Sequence, residues 1–189
     1  MDYTSLSKWR TRAIKRKLLY LLPLLLWVGL VLVLSSQPYE VQSIQPYLRE
    51  QLSEDSLKEL LPDWSLHYRT STIEAKAEPF RFIEFLFRKG AHLFIYAMVA
   101  ALAYVALKPY RLSLVPKAVI ALAGVGLVAV LDEWNQLRQP NRTGAMEDVI
   151  LDLTGGAIGL LFVILFSYWS AAGQRPRRNS RRKNRPYPR

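Results

Sequence analysis

The chain has 189 residues, 51% of them hydrophobic, and its 26 Lys and Arg against 15 Asp and Glu leave a net charge of +11. Uninterrupted apolar runs beside so much unbalanced charge exclude an ordinary soluble domain. There is no cysteine, which excludes disulfides, thiol nucleophiles and thiolate metal sites.

Residues 1–17 form a basic segment carrying Lys8, Arg10, Arg12, Lys15, Arg16 and Lys17. The apolar run Leu18 to Leu34 follows, and residues 18–36 are assigned as a first transmembrane helix. A basic front and apolar centre resemble a secretory signal, but the run is long and ends Ser35-Ser36-Gln37-Pro38 without a small-x-small cleavage pattern, so a retained anchor is expected.

Residues 37–87 are read as a short extracellular segment whose apolar residues are too scattered for an independent core, so it is expected to pack on the membrane or the bundle. Within it, Ser53 to Leu61 has a serine, then acids, then Leu57, Leu60 and Leu61 at helical spacing before Pro62, the pattern of a short amphipathic helix. Trp64 to Tyr68 and Thr70 to Ala75 have the β-branched and aromatic content of a hairpin, with His67 an exposed surface residue. After Pro79, the residues Phe80, Ile83, Phe87 and Ala91 recur at helical spacing, which predicts an interfacial helical start before Arg88.

Three further spans are expected at about 88–107, 114–134 and 149–169, around the apolar runs Ala91 to Leu107, Ala118 to Leu131 and Val149 to Trp169. Residues 170–189 contain no acid and almost no apolar side chain, and read as a disordered, basic tail. The fold class is therefore all-α, a polytopic membrane protein of four spans. Lys and Arg flank the spans on one side, in residues 1–17, at Lys108, Arg111 and Lys117, and in the tail. That side is expected to be the cytoplasm, with both termini there. These charges sit beside spans rather than on a folded basic domain, so the expected partner is anionic lipid, at about 1 kcal/mol per basic residue near the surface, and not nucleic acid.

In this topology two polar stretches, Arg88 to Tyr96 and Asp132 to Asp152, share one mouth on the outer side. Lys89, His92 and Tyr96 lie along one face of the second span; Asp132 and Gln136 are one turn apart on the third, with Glu133 beside them; Asp148 and Asp152 are one turn apart on the fourth. The turn Pro140 to Gly144 brings Arg142 near these carboxylates. A histidine, carboxylates and cations together suit acid–base chemistry, anion binding or a proton relay. Each also has a plainer role: His92 bonding a neighbouring helix, Asp132 and Glu133 bridging to Lys89 and Arg142, Arg142 pairing with Asp148, and Tyr96 packing. His92, Asp132, Glu133, Asp148 and Asp152 could supply the three or four ligands of a metal site, but no HxxxH or HExxH spacing is present, and no metal or other cofactor is expected. Gly155, Gly156 and Gly159 form one small-residue face, and Ala121 with Gly124 another, both read as close helix packing. The absence of a Gly-rich phosphate loop or GxSxG stretch argues against a nucleotide-driven pump and a serine hydrolase.

In order and spacing, Lys89-x-x-His92-x-x-x-Tyr96, Asp132-Glu133-x-x-Gln136, Pro140-x-Arg142 and Asp148-x-x-x-Asp152-x-x-Gly155-x-x-x-Gly159 resemble the VanZ-like membrane proteins over about Ile83 to Phe166. Two positions depart from that pattern: Arg138 stands where an aromatic is usual, and Asp152, where Asn is common, adds a negative charge. The resemblance implies a bacterial plasma-membrane protein of the group whose founding member gives low-level resistance to the glycopeptide teicoplanin. On this reading the mouth binds or modifies an anionic lipid or a lipid-linked wall precursor. Arg142 and Lys89, with Gln136 and Tyr96, would hold it; His92 with Glu133 or Asp132 would handle protons; Asp148 and Asp152 would orient Arg142 and His92. The alternative is a non-enzymatic scaffold or regulator whose polar cluster only locks the helices. Transport is weakened by the few spans and the lack of ionisable groups near any bilayer midplane.

Overall fold

A computed structural model describes residues 3–68, 71–138 and 145–173, residues 3–9 by their backbone alone. The expected Pro140 to Gly144 turn, with Arg142, lies outside the described residues, as does the tail beyond Gly173. In order the elements are α1 (Tyr3–Ser35), α2 (Tyr39–Gln42), α3 (Gln45–Gln51), α4 (Glu54–Leu60), β1 (Ser65–Tyr68), β2 (Ser71–Glu74), α5 (Pro79–Ala106), α6 (Leu114–Gln136) and α7 (Met146–Gly173). Among the described residues, four helices are long and apolar enough to cross a membrane: Arg10–Ser35, Pro79–Ala106, Leu114–Gln136 and Met146–Gly173. The protein is an all-α polytopic membrane protein. Its outward side chains are apolar, with Leu19 70%, Val115 70% and Phe162 72% exposed, as lipid contact allows and water does not.

The segment between the first two spans folds against α5 instead of around itself. At α4 the Ser53 hydroxyl accepts the Ser56 backbone N–H at 3.3 Å, and Glu54 and Asp55 follow at the positive end of the helix dipole. The hairpin pairs Leu66 with Ile73 and Tyr68 with Ser71, antiparallel. Strand alternation turns Leu66 and Tyr68 to one face. There Ile73 and Ala75 join Phe82, with Leu66 and Phe85 packed on them, so the small core is shared with α5. This is why α5 begins at Pro79 and not near Arg88: Pro79 suits the first turn, where no N–H partner is lost, and Phe80 and Phe82 are buried at 3% and 1% exposure. The interfacial start and the span are one helix.

The bundle core joins Tyr96, Val99, Ala100 and Ala103 of α5 to Ala121, Val125 and Ala129 of α6 and Val149 and Leu160 of α7. The most extensive helix contact is α5 with α7. A Cβ on Gly155 would stand 2.5 Å from the Leu93 carbonyl oxygen, and one on Gly159 2.5 Å from Ala97 Cα. Gly156 meets α6 in the same way, 2.8 Å from Val125 Cγ1. The second small-residue face holds only in part: Ala121 is fully buried, but a Cβ on Gly124 would meet nothing within 4 Å.

Gly155→Ala and Gly159→Ala should each lower stability by about 1–3 kcal/mol, at the upper end because the obstructing atoms are backbone. Gly124→Ala should stay within about 0.5 kcal/mol. Unfolding in mixed micelles measures the three side by side.

Candidate functional site

The close α5–α7 contact sets the register of every polar side chain at the loop end of the bundle. Both helices run away from that end, so they are parallel, and residues four, seven and eleven apart on each lie on the facing stripes. On α5 the stripe is Phe85, Lys89, His92 and Tyr96; on α7 it is Asp148, Asp152, Gly155 and Gly159. Lys89 Nζ pairs with Asp148, both side chains about 15% exposed. One turn deeper, His92 Nδ1 lies 3.0 Å from Asp152 Oδ1, and Asp152 is fully buried. Below that, Gly155 and Gly159 admit the backbone of α5.

The outer layer of this end is closed by the hairpin. Tyr68, aimed at α5 by strand alternation, meets Phe85 edge-on at 5.2 Å, and its hydroxyl donates to the Asp148 carboxylate while Lys89 Nζ lies 3.1 Å from it. Burial, and then the Asp148 carboxylate, push the Tyr68 phenol well above its ordinary range, so it remains a donor. Lys89 is therefore engaged by Asp148, Tyr68 and the Tyr68 ring 4.2 Å away. Sequence reasoning reserves Lys89 for a ligand and Asp148 for Arg142. Among the described residues their partners are each other and Tyr68, which the sequence marks only as part of a hairpin.

The inner layer gathers three helices. Asp132 of α6 and Asp152 of α7 bring carboxylate oxygens, and His92 of α5 a ring nitrogen, to within 4.8 Å of one another. Gln136 Nε2 donates to Asp132 Oδ2 at 3.1 Å, the one-turn relation expected from spacing, and the Tyr96 ring stacks on His92 at 6.3 Å and 20°. Asp132, not Glu133, stands beside His92. Glu133 is committed elsewhere through its Oε2, which accepts the Ala145 backbone N–H at 2.6 Å and so anchors the start of α7, while its Oε1 is buried without a hydrogen bond. The sequence argued against a metal from spacing along single helices; three ligands drawn from three helices leave no such spacing.

A cavity of about 280 Å³ opens beside this layer. Val31 and Leu34 of α1 and Ile95 of α5 form an apolar wall; His92, Tyr96, Asp132 and Gln136 form one polar end, and Glu84 and Arg88 another. Sequence reasoning missed this second end. Glu84, 4% exposed, accepts from the Tyr39 hydroxyl at 2.9 Å and from Gln45 Nε2 at 2.5 Å, which tie α2 and α3 to α5. Burial first, then Glu84, raise the Tyr39 phenol above its ordinary value, so it too stays protonated and donating. Arg88 lies over the Tyr39 ring at 4.4 Å, and its Nη2 is buried without a hydrogen bond, 3.7 Å from Glu84. The available signal was Glu84 and Arg88 one turn apart, with Arg88 one turn before His92. Ser35 and Asn135 close the α1–α6 seam, where Asn135 Nδ2 donates to the Leu32 carbonyl at 3.2 Å.

A family model described as VanZ/LLP1 matches residues 20–167, from the first span to the last. No curated protein and no solved structure matches the chain.

Lys89→Met should cost about 3 kcal/mol by stranding Asp148, and Lys89→Met with Asp148→Leu should recover most of it. Tyr68→Phe should cost about 1 kcal/mol. A double-mutant cycle read by unfolding in micelles checks the pairing.

Proposed function

The chain belongs to the VanZ/LLP1 family, and on that premise we propose that it binds an anionic amphiphile, a lipid or lipid-linked wall precursor, and acts on its head group. The observation that carries this reading is the cavity with an apolar wall and two polar ends, one offering Arg88 Nη2, which has no hydrogen bond and meets Glu84 only at 3.7 Å, and the other His92 with Asp132. Its volume, about 280 Å³, lies just below the roughly 300–1,000 Å³ usual for ligand pockets. That suits a head group and the first methylenes, with the chains left along the lipid-facing surface. Rim residues Leu34 and Phe87 are 39% and 64% exposed, which supports entry sideways from the bilayer.

Arg88 is the natural phosphate anchor here, since its planar fork can meet two oxygens at once and Glu84 holds it only at 3.7 Å. It takes the role that the sequence alone gives to Lys89. Arg142 remains a second proposed anchor on sequence grounds. The Lys and Arg flanking the spans support a bacterial plasma-membrane orientation with both termini cytoplasmic and the cavity in the outer leaflet. In that setting the ligand is an envelope lipid, and a glycopeptide-resistance role follows from what the family resemblance implies.

A scaffold reading has its own support in the Tyr68–Asp148–Lys89 contact, which fastens the hairpin to two spans. The two readings part on abundance. In a Gram-positive host, wild type should lower teicoplanin susceptibility, while Arg88→Gln, His92→Ala and Asp132→Asn should not, at membrane levels matched by immunoblot. Purified wild type should also retain phospholipid or lipid-linked precursor detectable by mass spectrometry, with at least fivefold less on Arg88→Gln. Equal protection and equal lipid on all variants would favour the scaffold, and so would loss of protection only where membrane abundance falls.

A further inference from the structure

The acids of the inner layer carry more negative charge than the neighbouring side chains offset. Asp132 and Asp152 are 2% and 0% exposed, and one oxygen of each, Asp132 Oδ1 and Asp152 Oδ2, has no hydrogen bond. The Tyr96 hydroxyl faces Asp132, yet neither it nor Asp132 Oδ1 meets hydrogen-bond geometry. Among the described residues no Lys or Arg pairs with either aspartate: Lys89 is taken by Asp148, and Arg88 faces Glu84. Buried carboxylates in a membrane protein stay ionised only against a counter-charge.

We propose that His92, Asp132 and Asp152 hold a single divalent first-row cation, Zn²⁺ or Mn²⁺, that clamps α5, α6 and α7 together. Two carboxylates and a neutral imidazole bring a charge of −2, which one divalent ion balances without a proton. Ligand atoms about 2.0–2.2 Å from a shared ion stand up to roughly 4.4 Å apart, so a set within 4.8 Å closes by small side-chain rotations. Mixed imidazole and carboxylate donors suit Zn²⁺ and Mn²⁺ better than Mg²⁺ or Cu⁺. The surrounding groups are those a metal site uses: Gln136 orients Asp132 at 3.1 Å, and the Tyr96 ring braces His92. Three protein ligands leave coordination positions open, and His92, 19% exposed at its side chain, and Asp132 both line the cavity, which provides the entry path.

The inference deepens the functional reading and rests on the same cavity end. A cation there turns an acidic wall into one that receives a phosphate or carboxylate oxygen, and with Arg88 gives the head group two positive contacts.

The test uses full-length protein in detergent, purified on an affinity tag without histidine and stripped with EDTA. Wild type should bind about one Zn²⁺ or Mn²⁺ per chain by calorimetry and elemental analysis. Asp132→Asn and Asp152→Asn should bind at least tenfold more weakly. Added Zn²⁺ should raise the unfolding midpoint of wild type and leave those of the Asn variants unmoved. In EDTA the Asn variants should be no less stable than wild type, since each replaces a buried carboxylate that has no Lys or Arg partner among the described residues with a neutral amide. If they fail to fold, pulsed EPR of Mn²⁺-loaded wild type decides the matter through a coupled imidazole nitrogen, kept in His67→Gln, the other histidine of the chain. No binding by wild type, equal binding by the Asn variants, or no nitrogen coupling overturns the site. Lipid retention measured on EDTA-stripped protein separately tests the amphiphile reading, so each can fail alone.

Discussion

The backbone-to-backbone approach of α5 and α7 is the constraint from which the rest of the molecule follows. Gly155 and Gly159 let Leu93 and Ala97 of α5 come within the reach that any Cβ would occupy. In lipid, apolar side chains gain nothing by leaving the solvent for each other, so close packing and polar contacts must hold helices together. A glycine seam supplies the packing. It also fixes rotation and translation, which leaves Lys89 opposite Asp148 and His92 opposite Asp152.

Two layers of polar chemistry then separate by depth. Lys89, Asp148 and Tyr68 form a closed set in which the lysine has its carboxylate and the phenol bonds to that carboxylate. Such a set latches the hairpin onto the bundle and has little capacity left for a ligand. One turn deeper the balance reverses: His92, Asp132 and Asp152 have more acceptors than donors, and the first two line a cavity. Groups with unmet bonding capacity at low dielectric are where ligands, ions or protons exert leverage. Burial alone does not mark the site, for Glu133 is buried as well, and one of its oxygens is committed to the Ala145 N–H at the entry to α7.

The segment between α1 and α5 shapes the cavity as much as the spans do. Tyr39 and Gln45 hold Glu84, Glu84 faces Arg88, and Arg88 lines the space that His92 and Asp132 reach from the other end. Short helices with no core of their own thus acquire a role by fastening one wall. The bipolar cavity that results, apolar along α1 and charged at two ends, matches the chemistry of an amphiphile better than that of a small soluble solute.

Membrane architecture was legible in the sequence because it depends on run length and composition alone: about 20 apolar residues cross a bilayer whatever their neighbours are. The capped α4, the hairpin and the small-residue stripe of α7 were legible for similar reasons, each being a local pattern of period two or four. The residues of the polar end also stood out as a group, since ionisable side chains beside apolar runs are conspicuous. Their pairing did not. Whether Asp132 or Glu133 meets His92 depends on how α6 is rotated, and whether Lys89 is free depends on a tyrosine twenty-one residues earlier. Gly124 had the spacing of a close contact, yet a Cβ there would meet nothing within 4 Å, while Glu84 and Arg88, which the sequence did not single out, line the cavity. Composition sets what must be buried in lipid; which buried groups meet is set by helix rotation and register, and those are properties of the packed bundle alone.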